Sequence, residues 1–287
     1  MAEHFAAQRD HYPEVLAPVG DFERLTYAVN YGADAVYLGG TAFGMRASSA
    51  NFDFDTMKKA VEYAHARDVK VYLTCNTLPL NSEVERLSDY LKSARDAGVD
   101  AVIVADIGVL MEAKRVIPEV DIHISTQTGI VNYLTANELY KMGAKRVVLA
   151  REMSRDEIAA CAGQGCELEV FVHGALCMCV SGQCYLSAML GGRSGNRGLC
   201  AQPCRLPFAP ADSGRRAREG EAALSLRDLS LQAYGADLAA LGVDSLKIEG
   251  RLKRPEYVAA AVSVYRAAVR GEAPAPGLSG DLQAVFS

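Results

Sequence analysis

The feature that most limits how this chain can fold is a short sequence repeated at the ends of four helical stretches. It reads Tyr31-Gly32-Ala33-Asp34, Ala97-Gly98-Val99-Asp100, Met142-Gly143-Ala144-Lys145 and Leu241-Gly242-Val243-Asp244, and each copy runs directly into an apolar, β-rich segment. Glycine just past a helix end adopts the left-handed conformation that closes the last turn, so each copy marks a helix-to-strand junction. Repeated junctions of this kind predict a parallel sheet wound by crossover helices.

Strands are expected at residues 15–18, 35–38, 70–75, 101–105, 121–125, 146–150, 167–172 and 245–248. Helices are expected at 22–31, 54–67, 82–97, 108–116, 131–142, 154–162, 229–241 and 255–270. Eight strands alternating with helices favour an α/β fold of the (β/α)8 TIM-like barrel type. An open, doubly wound sheet fits less well, because the first strand leads into Pro18-Val19-Gly20-Asp21 and not into a Gly-x-Gly-x-x-Gly loop. At 287 residues, half of them hydrophobic, residues 1–287 are expected to form a single barrel domain.

Charge, Gly or Pro interrupts every long apolar stretch, so no segment approaches the roughly 20 apolar residues of a membrane span. From Met1 to Glu14 the chain is polar and mixed in charge, unlike a secretory leader, and a cytoplasmic location is expected. Disulfides are then not expected for the eight cysteines. Cys75, Cys161 and Cys166 fall within barrel elements and read as small buried hydrophobes. The net charge of −5 neither favours nor excludes a nucleic-acid partner, since the local field decides that.

One connection breaks the rhythm. From His173 to Leu229 the chain far exceeds the roughly 2–6 residues of an ordinary βα loop. This predicts a long cysteine-rich insertion after the seventh strand, at residues 174–222, whose later part reads as solvated. Five cysteines crowd into it: Cys177, Cys179, Cys184, Cys200 and Cys204. Without Cys179 the spacing is C-x6-C-x15-C-x3-C, a poor match to the tight pairs of zinc sites. Irregular spacing suits an iron–sulfur cubane, and Gly182, Gly191, Gly192, Gly195 and Gly198 let backbone N–H groups approach anionic sulfur. Zinc and a reactive cysteine stay open at this point; His173, four residues before Cys177, is the natural partner for the latter. Cys179 would point away from Cys177 in an extended segment and reads as structural.

In a barrel the strand C-termini and the loops after them build the site. The polar residues there are Asn76, Asp106, Gln127, Arg151, Glu152, His173 and Glu249. Asn76 and Asp106 read equally well as helix caps or loop ties. Two basic groups stand near this face: Arg193, Arg197 and Arg205, and then Lys247, Arg251, Lys253 and Arg254. Their bland reading is a solvated surface. His173 and Glu249 are the titratable candidates for proton transfer, or alternatively residues that orient the cysteine loop.

The segments Leu16-Ala-Pro-Val-Gly-Asp, Gly32-Ala-Asp-Ala-Val-Tyr-Leu-Gly, Phe171-Val-His-Gly-Ala-Leu-Cys and Ser181-Gly-Gln-Cys-Tyr-Leu-Ser resemble those of a known family. So do Gly192-Arg-Ser-Gly-Asn-Arg-Gly-Leu-Cys-Ala-Gln-Pro-Cys-Arg-Leu-Pro and Ser245-Leu-Lys-Ile-Glu-Gly-Arg. The family is the collagenase-like peptidases, peptidase family U thirty-two, and the resemblance runs almost the whole chain. Its name records protease activity, yet its better-understood bacterial members look like oxygen-independent hydroxylation proteins. They act on a tRNA wobble uridine, a ribosomal RNA cytidine or the ubiquinone ring.

The resemblance implies a [4Fe-4S] cluster held by Cys177, Cys184, Cys200 and Cys204. It implies hydroxylation of an RNA pyrimidine, with prephenate as cosubstrate, and residues 192–207 look closest to the ribosomal RNA cytidine branch. Asn76, Gln127, Arg151, Arg193, Arg197, Lys247, Arg251 and Lys253 are the expected contacts to RNA or to an anionic cosubstrate. A peptidase, or a cluster-bearing subunit acting with a partner protein in a hydroxylation complex, are the competing expectations. Two departures stand out. Ser230 occupies a position where many relatives carry cysteine, and the chain stops at Leu282-Gln-Ala-Val-Phe-Ser where relatives continue, so a C-terminal part is expected to be missing.

Overall fold

The computed structural model describes residues 12–45, 51–216, 218 and 221–286. Residues 1–11, on which most of the leader argument rests, lie outside the described residues, as do the masked positions of the insertion's later part. The strands are β1 (Glu14–Pro18), β2 (Ala35–Gly39), β3 (Lys70–Cys75), β4 (Ala101–Val104), β5 (Asp121–Ile124), β6 (Arg146–Val148), β7 (Glu167–Gly174), β8 (Leu229–Ser230) and β9 (Ser245–Ile248). Neighbours from β1 to β6 pair in sequence order; β6 pairs with β7, β7 with β9, and β9 with β1, all parallel. The sheet is therefore a closed barrel of eight parallel strands, the expected (β/α)8 architecture.

The helices are α1 (Phe22–Asn30), α2 (Phe54–His65), α3 (Asn81–Val84), α4 (Leu87–Asp96), α5 (Ile107–Val116), α6 (Tyr133–Lys141), α7 (Arg155–Cys161), α8 (Leu186–Gly191), α9 (Gly235–Ala240), α10 (Pro255–Val269) and α11 (Leu278–Phe286). Strand residues of one parity, such as Val36, Leu38, Val71 and Leu73, are fully buried against this helix layer. Each such side chain contributes about 1.5–3 kcal/mol by leaving water. Residues of the other parity point into the lumen, where Leu16, Ala35, Tyr37, Tyr72, Ala101 and Ile103 form a second, smaller cluster.

The repeated junction does more than end helices. Gly32, Gly98, Gly143 and Gly242 all have φ between +85° and +111°, as their position requires. The residue that closes three of the copies then ties down a neighbouring strand: Asp34 accepts from the Val15 N–H at 2.9 Å, Asp100 from Val71 at 2.7 Å and Asp244 from Leu168 at 2.8 Å. Lys145 closes the fourth copy and pairs instead with Glu167 at 3.3 Å.

Four elements differ from expectation. The helix expected at 229–241 begins only at Gly235, because Leu229 and Ser230 pair antiparallel with Gly174 and His173 as β8. Tyr265 on α10 secures that pairing by donating to the Val172 carbonyl at 2.7 Å and accepting from the Leu231 N–H at 3.1 Å. The helix expected at 82–97 is broken into α3 and α4, and the two short helices α8 and α11 were not anticipated. Among the described residues no helix is long and apolar enough to cross a membrane.

Candidate functional site: a cysteine loop over the barrel mouth

Inside the lower barrel several of the inward residues are charged. Arg146 donates to Glu14 at 2.7 Å and to Glu167 at 3.0 Å, and lies 3.4 Å from Glu169. Lys247 donates to Glu169 at 2.6 Å, while Tyr72 and Ser245 both donate to Glu14. Burial works against the Arg146 charge, but Glu14 and Glu169 outweigh it and hold the guanidinium protonated. Burial pulls the Lys247 ammonium below its ordinary pKa, with Glu169 opposing the shift. His123 packs its ring edge-on to Tyr72, and its buried Nδ1 has no hydrogen-bond partner among the described residues; burial, then Arg146 and Lys247, keep it neutral. This network was overlooked in the sequence, although Glu14, Arg146, Glu169 and Lys247 all have the inward parity of their strands.

Toward the C-terminal mouth the lumen is lined by aromatic rings and cations. Lys247 Nζ lies 4.6 Å from the Tyr37 ring, and the Arg151 guanidinium lies 3.9 Å over Phe171. Arg251 is buried at the rim, donating to Thr74 Oγ1 at 3.3 Å and to the Met45 carbonyl. Gly39 leaves room for this side chain, because a Cβ at that position would come within 2.4 Å of Arg251 Nη1 and the guanidinium would have to shift. Asn76 bridges the Met45 N–H and Ser125, and Gln127 shares Ser125 with it. Asp106 accepts from the Val109 N–H at 3.0 Å as the N-cap of α5.

The cysteine segment lies across this mouth, fastened to several barrel loops. Glu152 accepts from the Ser181 N–H and hydroxyl, and Gln183 donates to the Gln127 carbonyl at 3.3 Å. Arg197 forms a two-pronged pair with Glu83 on α3 at 2.7 and 3.0 Å and donates to the Leu78 carbonyl. That pairing holds the Glu83 carboxyl down at about 2. Glu249 accepts from the Ala175 N–H at 3.1 Å at the start of the segment, in keeping with a residue that orients the cysteine loop.

The thiols of Cys177, Cys184, Cys200 and Cys204 are free, and none of them is buried. Backbone N–H groups of Leu186 and Gln202 point at the sulfurs of Cys184 and Cys200, at 3.4 and 3.3 Å. Such N–H groups stabilise the thiolates that hold iron–sulfur clusters, so the donor chemistry fits that group. Cys204 lies within electrostatic reach of Cys177 and Cys200. Among the described residues no three His, Cys, Asp or Glu side chains are closed tightly enough to hold a metal ion, so a cluster would require the thiols to draw further together. Beyond Cys179 the chain turns tightly through Ser181 and Gly182, and the Cys179 thiol donates to the Gln183 carbonyl at 3.1 Å, a contact within the loop itself.

Other expected site residues are dispersed. A bulge between Phe171 and His173 turns His173 out of the lumen into the helix layer. There its Nδ1 meets Tyr265 Oη at 3.2 Å, and the rings of Tyr257, Tyr265 and Phe286 surround it. Burial, helped by Lys253, lowers its pKa to about 4. His173 and Glu249 therefore do not share a catalytic face. Lys253 also turns outward, lying 4.0 Å over the Phe286 ring and donating to its carbonyl. Lys247 is buried in the lumen, and Arg197, partly exposed, is paired with Glu83. Arg193 is exposed and donates to the Leu199 carbonyl. Ser230 lies in β8 opposite His173.

A closed (β/α)8 barrel with a charged lumen and a thiol-bearing loop across its C-terminal mouth defines the class. Residues 20–276 match the description "Peptidase family U32", and the chain belongs to that family. It is 41% identical over 262 residues to tRNA hydroxylation protein P1 of Bacillus subtilis (strain 168), covering 88% of this chain and 62% of that protein. It is 39% identical to the 23S rRNA 5-hydroxycytidine C2501 synthase of Escherichia coli (strain K12), covering 89% of this chain and 39% of that protein. It is 37% identical to a collagenase of Porphyromonas gingivalis (strain ATCC BAA-308 / W83), covering 89% and 65%. The chain thus spans less than two thirds of the length of these relatives. A solved U32 peptidase structure shares the fold, with a TM-score of 0.57 at 14% identity over 87% of this chain and 98% of that one.

Proposed function

We propose that this chain is an enzyme that hydroxylates an RNA pyrimidine at its 5-position, giving 5-hydroxycytidine or 5-hydroxyuridine, without molecular oxygen. The observation that carries this reading is the cysteine loop fastened over a mouth where Arg151, Lys247 and Arg251 gather. Relatives named for tRNA hydroxylation and 5-hydroxycytidine synthesis support it. Cys177, Cys184, Cys200 and Cys204 would hold a [4Fe-4S] cluster, which supplies one-electron chemistry when bound. Arg151, Lys247 and Arg251, with Asn76 and Gln127, would orient an anionic cosubstrate such as prephenate. Arg193, exposed on the loop, would meet RNA phosphate. A cytoplasmic location follows from an RNA substrate.

A peptidase reading draws on the relative named collagenase. A cysteine peptidase would set its thiolate beside a base, whereas the aromatic rings of α10 and α11 enclose His173; a metal-dependent peptidase would be favoured by anaerobically purified protein that holds zinc and no iron. The RNA reading is tested by mass analysis of nucleosides from tRNA and ribosomal RNA, in cells lacking the gene and in cells with it restored. The expected result is loss and recovery of one 5-hydroxypyrimidine; unchanged content would remove the RNA reading. Purified chain that carries a cluster but gives no turnover without a partner protein would make it a subunit of a hydroxylation complex.

A further inference from the structure

Arg205 follows Cys204 directly, and its guanidinium reaches back to the other end of the cysteine segment. Nη2 donates to the Leu176 carbonyl, the peptide preceding Cys177, at 2.7 Å. Nη1 donates to the Leu226 carbonyl at 2.8 Å and to Ser225 Oγ, just before β8. One side chain thus joins the entry of the segment, its last cysteine and its exit. The Pro203 turn aims it: the Arg205 N–H donates to the Gln202 carbonyl at 2.9 Å, and Gln202 takes the left-handed conformation at φ 55°. The entry is braced independently where Ala175 donates to Glu249, so the guanidinium pulls against a fixed point.

We propose that Arg205 is a positioning residue, a clasp that sets Cys177 and Cys204 beside each other across the barrel mouth. Its role in cluster assembly rests on the cluster reading above. The chemistry calls for arginine, because a planar guanidinium can satisfy acceptors on two separate chain segments through two nitrogens at once. A lysine could reach one of them. The guanidinium also leaves a fixed positive charge beside Cys204, where an anionic cluster would lie.

The test compares the full chain with Arg205→Ala, Arg205→Lys and, as a control on the outer part of the same loop, Arg215→Ala, whose guanidinium bonds locally to Glu221 and Arg216. After anaerobic reconstitution, iron retention against a chelator should fall roughly tenfold or more in Arg205→Ala, as for other residues that orient metal ligands, partly recover in Arg205→Lys, and stay unchanged in Arg215→Ala. Independently of iron, a short bismaleimide should cross-link Cys177 to Cys204 in metal-free wild type and lose that product in Arg205→Ala, with circular dichroism unchanged. Wild-type iron retention and wild-type cross-linking in Arg205→Ala would overturn the proposal. If no variant binds iron, wild type included, yet the cross-link still depends on Arg205, the clasp stands and the cluster reading falls.

Discussion

Glu152, in the turn after the sixth barrel strand, accepts two hydrogen bonds from Ser181 in the cysteine loop, from the backbone N–H at 2.6 Å and from the hydroxyl at 2.8 Å. Ser181 is held at φ 39°, a left-handed conformation that a serine adopts only under constraint. The carboxylate is what fixes that turn, and with it the spacing of Cys179 and Cys184. Glu152→Ala removes bonds to a charged acceptor worth about 1.5–3 kcal/mol each. Amide exchange across residues 180–184 should then quicken by at least about tenfold, while exchange in the barrel strands stays unchanged. Equal protection in both proteins would show that the loop is held by other means.

The lumen pair Lys247 and Glu169 yields a stability prediction. Glu169→Ala leaves Lys247 and Arg146 facing each other in the barrel without that counter-charge and should destabilise the protein by about 3–5 kcal/mol. The double variant Glu169→Leu, Lys247→Met removes both charges and should cost markedly less, measured by urea unfolding. A double variant as unstable as the sum of the single variants would mean that the pair is not coupled as the geometry indicates.

His173 makes stability depend on pH. Its pKa in the folded protein is lowered to about 4, against about 6.5 when exposed, so the unfolded chain binds the extra proton between these values. The stabilisation is full above about pH 6.5 and is lost as pH falls toward 4, amounting to about 3 kcal/mol over the window. Denaturant unfolding at pH 7.5 and 4.5 should show that decline, and His173→Gln should flatten it. A slope that persists in the variant would assign it to other groups.

Arg193 and Arg197 should separate in RNA binding. Arg197 is paired with Glu83, whereas Arg193, on the exposed loop, donates to a backbone carbonyl and among the described residues has no ion pair. Arg193→Ala should lower the slope of log affinity against log salt by about 1 and weaken binding to all sequences alike. Arg197→Ala should leave the slope unchanged and instead free the loop from α3. The reverse pattern would mean that the Glu83 pair opens to admit phosphate.

The barrel was legible because its signals are local. Gly32, Gly98, Gly143 and Gly242 mark junctions within a few residues, and the strands are continuously apolar on at least one face. What escaped depends on partners distant in sequence. Leu229 and Ser230 look helical until His173 and Gly174 are known to lie beside them. The outward turn of His173 follows from a register shift between β7 and β9, which no single strand discloses. Arg197 reads as a free cation because Glu83 lies on another barrel loop. The parity of Glu169 and Lys247 was available, yet charge at an inward position reads as solvated until both are seen to be paired. Cysteine spacing conveyed the chemistry of the loop but not its fastening, which depends on Glu152, Arg197 and Arg205.

The proposed function requires the loop across the barrel mouth to hold an iron–sulfur cluster through Cys177, Cys184, Cys200 and Cys204. Iron and acid-labile sulfide, measured with the visible spectrum on anaerobically purified protein, test it most directly. The account predicts about four of each per chain, lost when any one of the four cysteines becomes alanine and kept in Cys179→Ala. Folded protein with neither iron nor sulfide, or with zinc in their place, would contradict it.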